Sequence, residues 1–181
     1  MTHPPHVADG AGELILFLDF DGVLHSDWDR PPTLFSQLPL LEQVLREQLH
    51  VNVVLSTSWR ETDPLDALRG PFSDDIRARV IGATPVLNPI TRSRYPHPLS
   101  KAERQSECEA WLVENRTPAH PWIAIDDRHW WFEPDCPRLF ITAQKTGLIE
   151  AQLPELRVLI ERNTPQKKAT HEDPGPLRSA S

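Results

Sequence analysis

Asp19 with Asp21, and Asp126 with Asp127, stand in two acidic pairs, and each pair directly follows an apolar run, LILFL before the first and WIAI before the second. A third run, VNVVL, ends in the hydroxyl-bearing triplet Ser56, Thr57 and Ser58. Two carboxylates one residue apart suit a nucleophile with an acid–base neighbour. Carboxylate attack divides one hard displacement into two easier ones, and each half needs a proton delivered or removed. All these groups gathered in one place would repel and raise one another's pKa unless a cation neutralised them. Magnesium fits such a set: it takes oxygen ligands, keeps several waters and binds through one or two carboxylates with a substrate phosphate. No EF-hand spacing that would point to calcium is present.

The elements that must hold these groups can be read from pattern. Leu14 to Phe20, LILFLDF, is too short and too continuously apolar for an amphipathic helix and reads as a central strand buried on both faces. GVLHSDWDRPP after it mixes Gly, Asp and paired prolines and reads as a loop or short hairpin over the strand end. Leu38, Leu41, Val44, Leu45 and Leu49 recur at spacings of three and four, which predicts a helix from Leu38 to Leu49 with those residues inward. VNVVLSTSW repeats the strand pattern. From Glu61 to Pro98 prolines interrupt the chain, leaving one or two short helices and the strand-like RVIGATP. Ser100 with Glu103 three residues later forms the pattern of a capping box, so a helix is expected from Ser100 with Cys108, Trp111, Leu112 and Val113 inward. PWIAIDD is a further buried strand, RLFITA a fifth, and Leu148 to Glu161 a closing helix.

Strands alternating with helices predict an α/β fold, a parallel sheet with helices on both faces and its ligand site at the carboxyl ends of the strands. The acidic pairs and the hydroxyl triplet then share one edge. One domain over residues 12–163 is expected, with a flexible leader over 1–11 and a disordered, polar, Pro-containing tail over 164–181.

DFDGV, from Asp19 to Val23, resembles the DxDxT/V motif of the haloacid dehalogenase superfamily, and three later elements follow in that family's order. The resemblance implies a three-layer, Rossmann-like domain whose first aspartate, Asp19, attacks phosphorus to form an aspartyl phosphate. Asp21 would protonate the leaving group and later activate water. Thr57 best matches the family's phosphate-holding hydroxyl, with Ser58 as an amide donor and Ser56 as a less suited register. The family's cation near the start of a later helix falls on Lys101 or Arg104, between which the sequence does not choose. Asp126 and Asp127 match the acidic pair that binds magnesium, together with Asp19 and the backbone carbonyl of Asp21. LSTSWR and WIAIDD are similar to signatures of the small, capless bacterial phosphatase domains of RNA-repair proteins. The intervals from Asp21 to Thr57 and from Thr57 to Lys101 are too short for a large cap domain, and the open site so implied favours bulky phosphorylated substrates or closure by a partner.

The expected activity is magnesium-dependent hydrolysis of a phosphomonoester. The alternatives are a nucleotidase or polynucleotide end phosphatase, and a binding or regulatory module that has lost turnover; intact Asp19 and Asp21 argue against the last. Dehalogenation is disfavoured by the second aspartate and the acidic pair. Trp28, Trp130 and Trp131 flank the acidic clusters and are read as packing before stacking on a substrate ring, whereas Trp59, Trp111 and Trp122 are read as core. Arg60 is read as an ion-pair residue and His25 as polar surface.

Of the 181 residues, 39% are apolar and 25% charged, enough for a core, and the formal charge of −7 argues against broad nucleic-acid binding. No secretory signal and no apolar run of about 20 residues is found, so a cytoplasmic protein with no membrane association is expected. Cys108 and Cys136 lack metal-site spacing and are read as reduced thiols, Cys108 within the core.

Overall fold

The computed structural model describes residues 12–31, 33–88, 91, 93–95 and 99–165. The leader and the tail beyond residue 165 lie outside them. Five parallel strands, β1 (Leu14–Leu18), β2 (Val51–Leu55), β3 (Val80–Ala83), β4 (Trp122–Asp126) and β5 (Leu139–Ile141), form one sheet in the order β3-β2-β1-β4-β5. The chain steps outward from β1 to β2 and β3, then returns to the other side of β1 for β4 and β5. The crevice at that reversal is where open parallel sheets hold ligands.

The helices are α1 (Leu38–Glu47), α2 (Leu65–Arg69), α3 (Asp74–Arg77), α4 (Glu103–Asn115) and α5 (Leu153–Asn163). β1 is fully buried, and its alternation divides the interior. Leu14, Leu16 and Leu18 pack in a layer with Leu41, Leu45, Leu156 and Ile160 of α1 and α5. Ile15 and Phe17 pack in another with Cys108, Trp111 and Leu112 of α4, where Phe17 meets the rings of Trp111 and Trp122 edge-on at 6.0 and 5.7 Å. Successive strand side chains point to opposite faces, so continuing past Leu18 sends Asp19 toward α4 and Phe20 into the other layer. Phe20 is in that layer, beside Phe35, Trp59 and Phe72.

Three element boundaries differ from the sequence reading. α1 stops at Glu47, leaving Leu49 78% exposed instead of inward. Arg79 ends the helix there, its guanidinium reaching the carbonyls of Leu45, Gln48 and Val51. α4 begins at Glu103 with Ala102 as its cap and without a capping box. The Ser100 hydroxyl instead pairs with Glu133 and accepts from the Ala102 N–H at 3.0 Å. The closing helix is a short 3-10 turn, Glu150–Gln152, followed by α5, with Pro154 in its first turn, where the missing N–H has no helical partner to lose. Thr164 belongs to the fold rather than to a tail: its hydroxyl meets the Ile160 carbonyl and His50 Nε2, each at 2.8 Å.

Between β1 and β2 stand a turn and α1, and between β2 and β4 the short α2 and α3, β3 and α4, so the described residues contain no large cap. No helix of the described residues is long and apolar enough to cross a membrane.

Candidate active site

The strand register carries the site. Leu18 of β1 pairs with Leu55 of β2 and Ile125 of β4. The next residue on each strand is Asp19, Ser56 and Asp126, held by bonds from the Asp19 N–H to the Ile125 carbonyl at 3.1 Å and from the Ser56 N–H to the Leu18 carbonyl at 2.8 Å. Asp19, Asp126 and Asp127 are all buried, and one oxygen from each lies within 4.8 Å of the others. Arg104 enters from the first turn of α4, its Nη1 standing 3.3 Å from Asp19 Oδ2 and 3.3 Å from Asp126 Oδ2. It lies one turn before Cys108 and two before Trp111, on the face of α4 that packs against Ile15 and Phe17. Lys101 precedes the helix, is exposed and makes no ion pair to the carboxylates among the described residues. Of the two candidates Arg104 is therefore the cation brought to the acids, and Lys101 is not; Arg128, from the segment after β4, also stands 3.7 Å from Asp127 Oδ1.

Burial pushes the carboxyls of Asp19, Asp126 and Asp127 above the usual carboxylate range. Arg104 opposes the rise at Asp19 and Asp126, and Arg128 opposes it at Asp127. Both Asp127 side-chain oxygens and Asp126 Oδ2 are sealed from solvent without a hydrogen-bond donor among the described residues. Buried oxygens left in that state cost free energy unless something else meets them. An all-oxygen, anionic donor set of this kind fits a hard divalent cation such as magnesium. Gly22 permits the approach: it holds φ at +69°, and a Cβ there would lie 2.6 Å from Asp127 Oδ2. Its carbonyl accepts from the Thr142 hydroxyl at 2.7 Å, tying the turn to the residue after β5.

Asp21 is held apart from the three clustered acids. His25 Nε2 lies 3.0 Å from its Oδ1, and Trp59 Nε1 donates to its Oδ2 at 2.8 Å. The hydrogen bond from His25, with that from Trp59, holds the Asp21 carboxyl below its usual range. His25, read from sequence as polar surface, is buried, and Trp59, read as core, is half-buried and bonded at the site. Neither contact has a local sequence signature.

Thr57 is buried directly after Ser56 and opens the 3-10 turn Ser58–Glu61, its hydroxyl accepting from the Trp59 N–H at 3.4 Å. Arg60, from the same turn, pairs with Glu107 of α4 at 2.5 Å and donates to the carbonyls of Ser56, Thr57 and Thr84. It braces the loop of Thr57 against the helix of Arg104. The central carbons of the Arg104 and Arg128 guanidinium groups each lie 4.5 Å from the centroid of the Trp131 ring. Trp28 and Trp130 are not buried by packing as read from the sequence; they are 64% and 57% exposed, Trp130 meeting the His129 ring edge-on at 5.1 Å. Arg128 lies 3.7 Å from Asp27, which joins the loops that bear them.

The family model described as the HAD domain in Swiss Army Knife RNA repair proteins matches residues 15–153, from β1 to the start of α5. No curated protein and no solved structure matches the chain. The matched span contains the five parallel strands and both acidic pairs, and the chain belongs to this family of haloacid dehalogenase superfamily domains, a membership that points to phosphatase-type hydrolase chemistry.

Proposed function

We propose that the protein is a magnesium-dependent phosphomonoester hydrolase that works through an aspartyl phosphate on Asp19. The observation that carries the reading is the meeting of Asp19, Asp126 and Asp127 at one strand edge with the Arg104 guanidinium against two of them.

In the first step an Asp19 carboxylate oxygen forms a bond to phosphorus as the ester oxygen leaves, and that oxygen takes its proton from the protonated form of Asp21, the minor form at neutral pH because the His25 and Trp59 bonds favour the ionised carboxylate. In the second, water gives a proton to Asp21 and its oxygen bonds phosphorus, releasing inorganic phosphate and restoring Asp19. One residue thus serves as acid and then as base. Arg104 offsets negative charge beside the nucleophile, and the Thr57 hydroxyl with the Ser58 N–H would hold the phosphoryl oxygens. Magnesium, held by Asp19, Asp126, Asp127 and the Asp21 backbone carbonyl, would offset the charge on the transferring phosphoryl group.

A narrower reading, removal of phosphate from nucleic-acid ends, is supported by the RNA-repair description of the family and by the exposed Trp28 and Trp130 on joined loops, since exposed indoles stack on bases. The formal charge of −7 disfavours broad binding along a duplex and leaves recognition of an end open.

Phosphate release from an aryl phosphate, nucleotides and phosphorylated oligonucleotides, with magnesium or chelator, tests the reading. Magnesium-dependent release lost in Asp19→Asn is expected. A folded protein that releases nothing from any of them would shift the reading to a binding module.

A further inference from the structure

We propose that His25 and Trp59 are positioning residues that fix the Asp21 carboxylate in the orientation needed for proton transfer to the leaving group, an inference that rests on the role given to Asp21 above.

Asp21 sits at the mouth of the site with its side chain 31% exposed, where a lone carboxylate would rotate among several rotamers. Two groups from different parts of the chain remove that freedom. Trp59, 38 residues away, has a ring nitrogen that only donates, and it holds Oδ2 at 2.8 Å. His25 meets the other oxygen at 3.0 Å. The role of the histidine follows from its far side: the Phe35 N–H donates to Nδ1 at 3.5 Å, so Nε2 is the nitrogen that carries the proton toward Asp21. Each carboxylate oxygen therefore accepts one fixed N–H.

The two donors are themselves fixed. The Trp59 ring packs against Phe20, Phe35 and His25 with centroids 5.7, 5.8 and 6.0 Å away. Phe35 also packs on His25 and holds φ at +59°, a left-handed conformation that bulky residues rarely adopt, at the position whose N–H faces the imidazole. A cluster of three aromatic rings and a backbone amide thus orients a group that protrudes into the mouth. Asp19, two residues earlier, is oriented by different partners, Arg104 and the Phe20 N–H. Nucleophile and proton donor are aimed independently.

Position errors of about 1 Å cost up to roughly a hundredfold in rate. The loss should fall on substrates whose leaving group needs a proton. Trp59→Phe keeps the ring and deletes the donor; His25→Leu deletes the other, and His25→Gln returns an amide N–H near Nε2. We would measure kcat/KM, which reports transfer to Asp19, for an alkyl phosphate and for 2,4-dinitrophenyl phosphate, whose leaving group departs unprotonated. In Trp59→Phe and His25→Leu, the loss on the alkyl ester should exceed that on the dinitrophenyl ester by about 10- to 100-fold, and His25→Gln should recover part of it. Equal loss on both esters, or no recovery, overturns the proposal in favour of a packing role.

A readout independent of turnover accompanies it. The indole N–H resonance of Trp59, identified by its absence in Trp59→Phe, should move in Asp21→Ala, and nitrogen shifts of His25 should report the proton on Nε2. An unmoved indole resonance or a proton on Nδ1 overturns the proposal whatever the activity. Wild-type protein that hydrolyses neither ester while the resonances behave as expected refutes the phosphatase reading and leaves the orientation of Asp21 supported.

Discussion

Arg60 Nη2 and Glu107 Oε2 meet at 2.5 Å with their side chains only 5% and 7% exposed, joining the loop after β2 to the helix that delivers Arg104. Removing one member of such a pair strands the other charge. Glu107→Ala should cost about 3–5 kcal/mol by urea denaturation. Replacing both, Arg60→Met with Glu107→Leu, should return much of that stability, since apolar pairs of similar volume often substitute well for buried ion pairs. Activity should not return, because the carbonyls of Ser56, Thr57 and Thr84 lose their donor. Full activity in the double variant would refute a role for the brace in shaping the site.

Gly22→Ala should damage the acidic cluster more than the fold. The left-handed backbone costs a non-glycine residue about 1–2 kcal/mol, whereas the new methyl would push Asp127 from its place. Magnesium affinity, read by titration calorimetry, should fall about 10- to 100-fold, the loss seen when groups supporting metal ligands are removed. An affinity within twofold of wild type would contradict the placement of Asp127 among the ligands.

Magnesium should stabilise the protein most at neutral pH. The folded-state pKa values of Asp19, Asp126 and Asp127 are raised, so the native state takes up protons more readily than the unfolded chain and the apoprotein gains stability as pH falls through those values. At neutral pH the ionised carboxylates repel, and a cation relieves them. At about a hundredfold excess over Kd, magnesium should contribute about 2.7 kcal/mol, or about 5–10 °C in Tm, lost with chelator. The gain should shrink toward pH 5 as protons compete; an identical gain at both pH values would count against a carboxylate site.

At the opposite end of the sheet the sign reverses. Burial opposes ionisation of Glu13, but two bonds from Arg116 at 3.0 Å and one from Asn52 at 2.7 Å outweigh it and hold the carboxyl below its ordinary value. A depressed pKa gives stability that is present above the unfolded value and lost as pH falls through the folded one. Glu13→Gln should therefore flatten the loss of Tm between pH 6 and pH 3. An unchanged slope would mean that other carboxylates dominate acid unfolding.

The strands were legible because a parallel sheet covered on both faces demands continuous apolar runs, and LILFL, VNVVL and WIAI have few other ways to be buried. The acids at their ends were legible for the same reason. Helical phase could not separate Arg104 from Lys101, because both fall on the face of Cys108, Trp111 and Leu112; what separates them is the start of the helix at Glu103, which leaves Lys101 outside it and which the supposed cap at Ser100 obscured. His25 and Trp59 were not legible. Their importance lies in a meeting at Asp21, and one of the two chain separations involved is 38 residues, which neither period nor motif encodes. Ser100 is not the cap because its oxygen accepts from the Ala102 N–H, before the helix begins, while its hydroxyl donates to the distant Glu133.

Trp131 carries two guanidinium groups against its ring, that of Arg104, which faces Asp19 and Asp126, and that of Arg128, which reaches Asp127 and Asp27. Indole emission responds to charge held against the ring. A phosphate bound in the site proposed above would draw on both groups and should alter the light that the ring emits, so that this emission would report occupancy. Comparison with Trp131→Phe isolates that signal from the other five tryptophans. Ligands could then be ranked on unlabelled protein, including those that bind and are never turned over.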